Sequence, residues 1–579
     1  MLSGLLLRLI IAGVLACVAA AGGDLTDRFH LTLNRVETGG PPRYTEALVL
    51  ADVIPQPTRR FTEYSGDVSG RYIGALSSAM AGADPDVPPL AHLLVSILDL
   101  QKPGGYFGRA FGPEIGHGEM ALLWGNGRLL IGMLEYYQRH PSPQVLASAL
   151  RLGDFLVSIA PRMNRDDLQQ RVDQGDFAAA YICWTQTIEG LVELSRASGD
   201  SRYLDLARRI APRIHRIPGQ HGHGFLTSLR GLVALYQATG DRRYLDQAIR
   251  EWRGIMDSGN LLTQGAVPEA FAPNIRRTEG CTEADWLRLS LALWRITQGP
   301  EFLAQAELTL FNEYAMNQFA TGDYGSRVIA DTGISTGQDA DGAGAARCWW
   351  CCTLHGLRAY KDIFDSVFRA DGDDLWYDLP VDGRARAGGF AVTAESALQN
   401  RGTITIRVTA TDARRHTLSI RVPAWAERLS ISVDGIDDRS PAAASYRRLR
   451  RIWKGGDTVE IHYSMRTRCV PVAKTGRFAF FHGPWLLAAD ETASPFFWDE
   501  PDGHNRLRVD VGPDSSVHLE RAILPAGHFG VPAAHFRVNY LPEGYPMLPQ
   551  TVVLRPVAEQ TGTPSTAWYF LFELEEKNR

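Results

Sequence analysis

The sequence lacks an excess of charge of either sign. Its 60 Lys and Arg residues nearly balance its 65 Asp and Glu residues, for a formal net charge of −5 and a pI near 6.3. A nucleic-acid-binding surface usually needs a basic excess, so we expect no nucleic-acid partner. With 579 residues, 45% of them hydrophobic and 22% charged, the chain has the composition of a soluble globular protein of two to four domains.

Long hydrophobic runs are also scarce, and the one that stands out is at the N-terminus. An apolar stretch from Leu5 to Ala16 contains a single Arg8 and precedes the small residues Ala19 to Ala21. This pattern predicts a secretory signal over residues 1–23 and export to the periplasm or beyond the cell. The stretch is too short for a permanent membrane span. The run ending at Cys17 resembles a lipoprotein box, so a lipid anchor on Cys17 is an alternative.

Cysteine is rare, with seven in the chain, but its distribution is uneven. Apart from Cys17, six cysteines remain, an even number that an exported protein could pair as disulfides. Cys351 and Cys352 are adjacent, however, and a disulfide across one peptide bond is strained. Together with the upstream triplet Glu279-Gly280-Cys281, these thiols match the ligand preferences of Zn²⁺. We favour a zinc site over a set of disulfides that would use Cys183, Cys281, Cys348, Cys351, Cys352 and Cys469.

The hydrophobic pattern changes near residue 370. Before it, apolar residues recur three and four apart, which predicts helices over residues 118–138, 178–198, 222–239, 281–298, 300–320 and 351–368. After it, polar and apolar residues alternate, which predicts strands beginning at Thr403, Thr417, Leu429 and Thr458. We therefore expect a helical domain over residues 24–369 and β-sandwich domains over residues 370–468 and 469–579. The β domains are expected to pack against the helical domain, and contacts in a homodimer are a further role.

The helical part repeats itself. The segment from Leu191 to Leu204 is echoed forty-one residues later by the segment from Leu232 to Leu245, and each contains a Gly-Asp turn. Helical hairpins with such a period form either an open solenoid or a closed toroid. The toroid is favoured, because its inner helices run the same way and would gather at one mouth the reactive residues near their starts: Trp124, His221, His223, Glu269, Glu279, Cys281 and Cys351.

A thiol at a helix start is expected to have a lowered pKa, because the helix dipole and a bound metal both favour the thiolate. Cys351 or Cys352 is therefore a candidate nucleophile. A closed structural zinc site without chemistry is the alternative, and cysteine spacing does not decide between the two.

Several motifs resemble those of one known family. The motifs are Glu63 to Tyr72, Trp124-Gly-Asn-Gly-Arg128, Pro268-Glu269-Ala270-Phe271, Glu279-Gly280-Cys281, Cys351-Cys352, Val422 to Trp425, Trp453 to Asp457 and His482-Gly-Pro484. This series of motifs resembles that of the DUF1680 proteins, the β-L-arabinofuranosidase family of glycoside hydrolases (family 127).

This resemblance implies a retaining glycosidase with an (α/α)₆ toroid followed by β-sandwich domains. It implies that Glu269 is the general acid/base and that Cys351 is the nucleophile. The implied zinc ligands are Glu279, Cys281, Cys351 and Cys352. A zinc-held thiolate would then replace one of the two carboxylates that retaining glycosidases normally use. The implied substrate is a glycan that carries β-L-arabinofuranose or a related sugar.

The sequence also departs from the family pattern. The segment between Glu269 and Glu279 is short, and Thr353-Leu354-His355 follows the cysteine pair. Where the family has a His-rich motif before an early inner helix, this sequence has the stretch that contains Trp124 and Arg128. These two residues are therefore candidate sugar contacts.

Four further features are ambiguous. His221 and His223 are candidate ligands or sugar contacts, or parts of a turn. Trp350, with Trp349, either stacks on a sugar or packs beneath the metal site. Asp339 and Asp341 are expected in a loop that shapes the cleft, and Cys348 is a spare ligand or a bystander.

Two other classes of protein compete with the glycosidase. One is a carbohydrate-binding protein that keeps the scaffold without catalysis. The other is a toroidal polysaccharide lyase. Retention of both an acid and a thiolate cluster argues against the first, and the cysteines would have no role in the second.

Overall fold

A computed structural model describes residues 24–39, 43–54, 62–79, 88–175, 180–259, 261–271, 277–329, 334–336, 350–412, 414–438, 445–498, 505–523, 531, 534–542, 548–559 and 568–575. The predictions for residues 1–23 with Cys17, and for Asp339, Asp341, Cys348 and Trp349, lie outside these ranges. Across the described part of the chain, no helix is both long and apolar enough to span a bilayer.

Helices dominate the first two thirds of the chain. Their bounds are α1 Asp24–Thr38, α2 Glu46–Leu50, α3 Asp67–Ala79, α4 Pro88–Leu98, α5 His117–Arg139, α6 Pro143–Met163, α7 Asp166–Gln174, α8 Ile182–Thr185, α9 Thr187–Ser198, α10 Ser201–Ile210, α11 Gly222–Thr239, α12 Arg242–Asp257, α13 Gly280–Thr297, α14 Pro300–Thr309, α15 Ala315–Asn317, α16 Trp350–Phe364 and α17 Leu398–Arg401.

Six of these helices close into a ring. Helix α3 packs on α5, α5 on α9, α9 on α11, α11 on α13, α13 on α16, and α16 back on α3. Four outer helices, α6, α10, α12 and α14, each pack on the inner helix that precedes them. This closed ring is the (α/α)₆ toroid expected from the sequence, and it excludes the open solenoid.

The repeated Gly-Asp turns join the hairpins as predicted. Gly199 ends α9 with φ of 75°, and Gly240 ends α11 with φ of 70°, a left-handed conformation that glycine adopts without steric cost. The side chains of Asp200 and Asp241 then accept hydrogen bonds from the backbone two residues on, which caps α10 and α12.

One predicted helix is interrupted. Instead of a continuous helix over 300–320, a π-helical turn over Leu310–Tyr314 separates α14 from α15. Asn312 lies in this turn and bonds to a neighbouring segment: its amide donates to Pro484 O at 3.0 Å and its oxygen accepts from Leu486 N at 2.7 Å. The π turn is a local widening of the helix, and here it carries a side chain that satisfies a strand backbone.

Among the described residues, most strands follow the helical part, and three lie within it. Their bounds are β1 Arg277–Glu279, β2 Ser326–Ile329, β3 Ile334–Thr336, β4 Phe368–Asp371, β5 Asp374–Tyr377, β6 Gly383–Ala387, β7 Phe390–Ala397, β8 Thr403–Ala410, β9 Arg415–Arg421, β10 Ala426–Val433, β11 Ile436–Asp437, β12 Tyr446–Ile452, β13 Thr458–Met465, β14 Thr467–Val472, β15 Arg477–His482, β16 Trp485–Asp490, β17 Arg506–Arg508, β18 Ser516–Val517, β19 Glu520–Arg521, β20 Phe536–Leu541, β21 Gln550–Pro556, β22 Trp568–Tyr569 and β23 Glu573–Leu574.

The chain forms two compact units. One comprises the described parts of Met1–His30 with Val367–Val422 and Arg428–Ser464. It holds a six-stranded sheet in the order β11-β10-β13-β8-β7-β6 and a four-stranded sheet in the order β12-β9-β5-β4. The two sheets pack face to face, since the Phe390 ring of β7 stacks 5.0 Å from His416 of β9. This is the sandwich that the strand pattern predicts.

The other unit comprises Leu31–Ser366, Pro423–Glu427 and Met465–Arg579, so the toroid and the last β region belong together. Its sheet runs β1-β2-β3-β22-β16-β21-β20-β17-β23, with β14, β15, β18 and β19 attached at its side. Strands β1 to β3 come from the helical half of the sequence. The predicted domain boundaries stay predictions.

Candidate active site

Three thiols and one carboxylate meet where two inner helices begin. Glu279 caps α13, Cys281 is its second residue, and Cys351 and Cys352 lie in the first turn of α16. One ligand atom from each of the four lies within 4.8 Å of the others. Cys281 and Cys352 are fully buried, whereas Cys351 is partly exposed. The predicted metal ligands are therefore brought together.

The spacing of these atoms fits zinc. The Cys281 and Cys352 sulfurs are 3.8 Å apart, and the Cys352 sulfur is 3.9 Å from Glu279 Oε1. A tetrahedral zinc with Zn–S bonds of about 2.3 Å places neighbouring sulfurs about 3.8 Å apart. No disulfide joins these three described cysteines, so the alternative set of disulfides is not found among them.

Of the three thiols, Cys351 is the one whose charged form is favoured. Hydrogen bonds from Cys281 and Cys352 hold the pKa of Cys351 well below its usual range, against the effect of burial. Burial raises the pKa of both Cys281 and Cys352 well above the usual range. The thiol of the partly exposed residue is thus also the most readily deprotonated of the three.

A second group adjoins the thiols and shares Glu279 with them. His221, Glu269 and Glu279 each place one atom within 4.8 Å of the others. His221 precedes α11, and its Nε2 donates to Glu279 Oε2 at 2.9 Å. Glu269 lies at a bend outside the helices and strands, where its N–H donates to Arg277 O at 2.8 Å and its side chain pairs with Arg277.

The pKa values of the Glu269 and Glu279 carboxyls shift in opposite directions. Burial, and then the nearby Glu279 charge, raise the pKa of Glu269, while Arg277 opposes the rise. Burial works against ionisation of Glu279, but His221 and Arg71 hold the pKa of this carboxyl below its usual range. Pairs of titratable groups pushed apart in this way are typical of an acid beside a permanently ionised partner. Glu269 is the carboxyl suited to carry a proton.

The remaining predicted sugar contacts occupy different depths. Trp350 is half-buried at the start of α16. Trp124 is buried, and its Nε1 donates to Asp67 Oδ1 at 3.1 Å. Arg128 is 2% exposed, lies 4.7 Å from the centre of the Trp124 ring, and donates to Thr227 at 3.2 Å.

His221 and His223 also differ in depth. His221 is half-buried, whereas His223 is fully buried. Both ring nitrogens of His223 have protein partners, Arg71 and Asp285. A direct sugar contact by His223 would require the ring to leave both, so its described contacts are with the base of the site.

Sequence reasoning missed the polar groups beneath the thiols. Arg71 contacts the Cys281 sulfur at 3.4 Å, and Asp285 accepts hydrogen bonds from His223 at 2.7 Å and from His355 at 2.8 Å. A spacing of four residues along the helices could have indicated two of these groups. Asp285 follows Cys281 by four residues and His355 follows Cys351 by four, so each lies one turn below a thiol.

Comparison with known proteins agrees with this architecture. Residues 58–364 match the family model for the β-L-arabinofuranosidase GH127 catalytic domain, and residues 379–465 match that for the GH127 middle domain. No curated protein matches the chain by sequence.

Solved structures share the fold at low identity. A GH127 β-L-arabinofuranosidase from Geobacillus stearothermophilus T6 aligns with a TM-score of 0.70 and 14% identity, covering 96% of this chain and 99% of that one. A second GH127 β-arabinofuranosidase also gives a TM-score of 0.70, with 17% identity and 95% and 94% of the two chains covered. Since the match to the catalytic domain alone spans more than half of the sequence, the chain belongs to GH127, a family of glycoside hydrolases.

Proposed function

We propose that this hydrolase releases β-L-arabinofuranose, or a related sugar, from plant-type glycans with retention of configuration. Cys351 is the nucleophile and Glu269 is the general acid/base. The observation that carries the proposal is that Glu279 belongs both to the thiol group and to the group that contains Glu269. The thiol with the lowered pKa and the carboxyl with the raised pKa are therefore neighbours of one ionised side chain.

The first step uses both groups at once. Glu269 gives its proton to the glycosidic oxygen, and the Cys351 sulfur attacks the anomeric carbon from the opposite face. The bond to the leaving group breaks, and a glycosyl-cysteine forms with inverted configuration. The ionised Glu269 then takes a proton from a water molecule that attacks the same carbon. The second inversion releases the thiolate and restores the original configuration.

The same site fits a zinc ion. Glu279, Cys281, Cys351 and Cys352 would hold it, because their chemistry and spacing match a four-coordinate sulfur-rich shell. When bound, zinc would keep the thiols deprotonated and make Cys351 a better leaving group from the glycosyl intermediate. Glu279 is positioned for this role, because His221 and the Thr282 hydroxyl hold its Oε2 at 2.9 and 3.2 Å while Oε1 faces the thiols.

The test compares zinc content and hydrolysis of p-nitrophenyl β-L-arabinofuranoside under reducing conditions. Wild type, Glu269→Gln and Cys351→Ser would be assayed beside Cys183→Ser, which changes a buried cysteine outside the thiol group. We expect zinc and turnover in the wild type and in Cys183→Ser, and no turnover in the other two.

Two results would contradict parts of the proposal. Turnover by Cys351→Ser at the wild-type rate would exclude the thiol nucleophile. Zinc without turnover on this substrate would exclude the β-L-arabinofuranoside and direct the search to other furanosides.

We also infer that the protein is exported. The support is the apolar run and small residues of positions 1–23, which lie outside the described ranges. Cell fractionation would locate the protein, and labelling with a fatty acid would show whether Cys17 carries a lipid; a cytoplasmic, unlabelled protein would contradict both. Homodimer formation also stays a prediction. Light scattering would test it, with twice the monomer mass as the expected result.

A further inference from the structure

We propose that Arg71 is a built-in counter-charge of the thiol site, and that His223 and Asp285 are positioning residues that hold it against the Cys281 sulfur. This inference rests on the zinc site of the proposed function. It assigns a role to buried groups that the two-step reaction itself does not use.

All three nitrogens of the Arg71 guanidinium are engaged. Nε donates to Asp67 Oδ1 at 2.7 Å, one terminal nitrogen lies 3.4 Å from the Cys281 sulfur, and the other lies 2.9 Å from His223 Nε2. The side chain is buried. A planar guanidinium fixed at three points cannot rotate away from the sulfur without breaking other hydrogen bonds.

The contact with Arg71 determines the tautomer of His223. Arginine can only donate, so His223 Nε2 must be the acceptor and Nδ1 must carry the hydrogen. Nδ1 accordingly donates to Asp285 Oδ2, 2.7 Å away. The carboxylate of Asp285 thereby fixes which nitrogen of His223 faces Arg71.

Asp285 is itself held by several donors. Its Oδ2 also accepts from the Thr227 hydroxyl at 2.7 Å, and its Oδ1 accepts from His355 at 2.8 Å and from Arg288 at 3.3 Å. A carboxylate with this many donors stays ionised and keeps one orientation. The order of contacts is therefore Asp285, His223, Arg71 and then Cys281. These residues lie on three inner helices, since Asp285 and Cys281 are both on α13.

The charge of the zinc site explains why such a donor is needed. Three thiolates and one carboxylate carry four negative charges against the two of Zn²⁺, which leaves an excess of about two negative charges. Two of the sulfurs are fully buried, and an uncompensated buried charge is costly. The guanidinium of Arg71 supplies one positive charge in direct contact with a ligand sulfur. Groups behind the ligands commonly change metal affinity by 10- to 100-fold.

A second metal ion at His223, Asp285 and His355 is the competing explanation, because these three residues also place ligand atoms within 4.8 Å of one another. Three arginines face the same groups, however. Arg71 contacts His223, while Arg288 and Arg230 lie 3.3 and 3.8 Å from Asp285 Oδ1. A cation there would be repelled, so the buried groups serve the thiol site instead.

The test measures zinc affinity by chelator competition, and the sulfur-to-metal charge-transfer band of the cobalt-substituted protein. The variants are Arg71→Gln, which removes the positive charge, His223→Leu and His223→Gln. Arg358→Gln is the matched control, because Arg358 is a buried arginine on α16 that pairs with Glu135. Circular dichroism monitors folding.

We expect Arg71→Gln and His223→Leu to bind zinc about 10- to 100-fold more weakly and to shift the cobalt band. His223→Gln should lose less, because its amide oxygen can still accept from Arg71. Arg358→Gln should match the wild type in both measurements.

Two outcomes would overturn the inference, and they are distinguishable. A wild type that binds zinc, with Arg71→Gln and His223→Leu unchanged in affinity and spectrum, overturns the role of Arg71 alone. A wild type that binds no zinc overturns the proposed zinc site together with this inference. If Arg71→Gln does not fold, equal affinities for His223→Leu and His223→Gln overturn it.

Discussion

Glu279 Oε2 accepts a hydrogen bond from His221 Nε2 at 2.9 Å, across the mouths of two neighbouring inner helices. The other oxygen of the same carboxylate faces the Cys352 sulfur at 3.9 Å. Glu279 thus faces the thiols with one oxygen, and faces His221 and the Glu269 group with the other. A displacement of Glu279 would disturb the nucleophile and the acid together.

The pH profile of the reaction should depend on Arg277. Burial and the charge of Glu279 raise the pKa of Glu269, and the ion pair with Arg277 opposes that rise. Glu269 must be protonated to start the reaction, so kcat/KM falls as pH rises through its pKa. Arg277→Gln should move this alkaline limb to higher pH. The control Arg253→Gln, which removes an exposed ion pair with Glu301, should leave the alkaline limb in place. An alkaline limb that stays or moves to lower pH in Arg277→Gln would contradict Glu269 as the acid.

Zinc should stabilise the fold as well as the thiolates. A ligand that binds only the native state raises its stability by mass action. Cys352→Ser removes one of the four candidate ligands and should lose stoichiometric zinc and lower Tm. Chelation of the wild type should lower Tm in the same direction. In Cys183→Ser, zinc content and the effect of chelator on Tm should remain as in the wild type, and equal zinc in both variants would argue against Cys352 as a ligand.

The ring also depends on close backbone contact between α3 and α5. A Cβ added at Gly70 would lie 2.3 Å from the carbonyl of Arg128, and one added at Gly132 would lie 2.2 Å from the carbonyl of Gly70. Gly70→Ala should therefore destabilise the protein by about 1–3 kcal/mol or more, because the helices must separate.

The matched control for this change is Gly254→Ala on α12, where the nearest atom to an added Cβ is a side-chain nitrogen at 3.6 Å. It should be neutral or stabilising by up to about 1 kcal/mol, since alanine favours helix more than glycine does. Thermal unfolding measures both variants, and a Gly70→Ala protein as stable as Gly254→Ala would contradict the close contact.

Acid should destabilise the last β region through His482. This residue on β15 is buried and contacts the Thr467 hydroxyl at 3.0 Å. Burial, with Arg521 nearby, lowers the pKa of His482 to about 4 from 6.5. Its contribution to stability is complete above pH 6.5, falls as the unfolded state takes up a proton below that pH, and is lost by about pH 4. The total is at most roughly 3 kcal/mol.

Replacing His482 with Gln keeps a hydrogen-bonding side chain that does not titrate. The loss of Tm between pH 6.5 and pH 4 should then be smaller than in the wild type. His462→Gln, at an exposed position on β13, should show the wild-type loss. An equal loss in both variants would exclude His482 as a cause of acid destabilisation.

The sequence predicted the toroid because its signals are local and repeated. The Gly199-Asp200 and Gly240-Asp241 turns combine the helix-ending glycine and the helix-capping aspartate in adjacent positions. Such signals determine where helices end without knowledge of tertiary contacts. The thiols were equally visible, because their ligand chemistry is rare and their positions near helix starts follow from the same periodicity.

The burial and mutual contacts of the polar groups beneath the thiols were not predicted, for a physical reason. Arg71 and Cys281 are separated by 210 positions, and Arg128 and His223 carry side chains as suitable for a cleft as for a core. Which of these residues face a sugar depends on the depth of each helix in the ring, which periodicity does not give. The π turn at Asn312 was also missed, since its partner is the backbone of a strand more than 170 residues later.

Trapping the intermediate on Cys351 would test the thiol nucleophile most directly. Glu269→Gln would be mixed with p-nitrophenyl β-L-arabinofuranoside, whose good leaving group needs no acid, while water attack lacks its base. Intact-mass and peptide mass spectrometry would then locate the sugar. We expect one pentosyl group on the peptide that contains Cys351, removable by an added nucleophile such as azide. A sugar on another residue, or turnover by Glu269→Gln through direct displacement with inverted product, would contradict it.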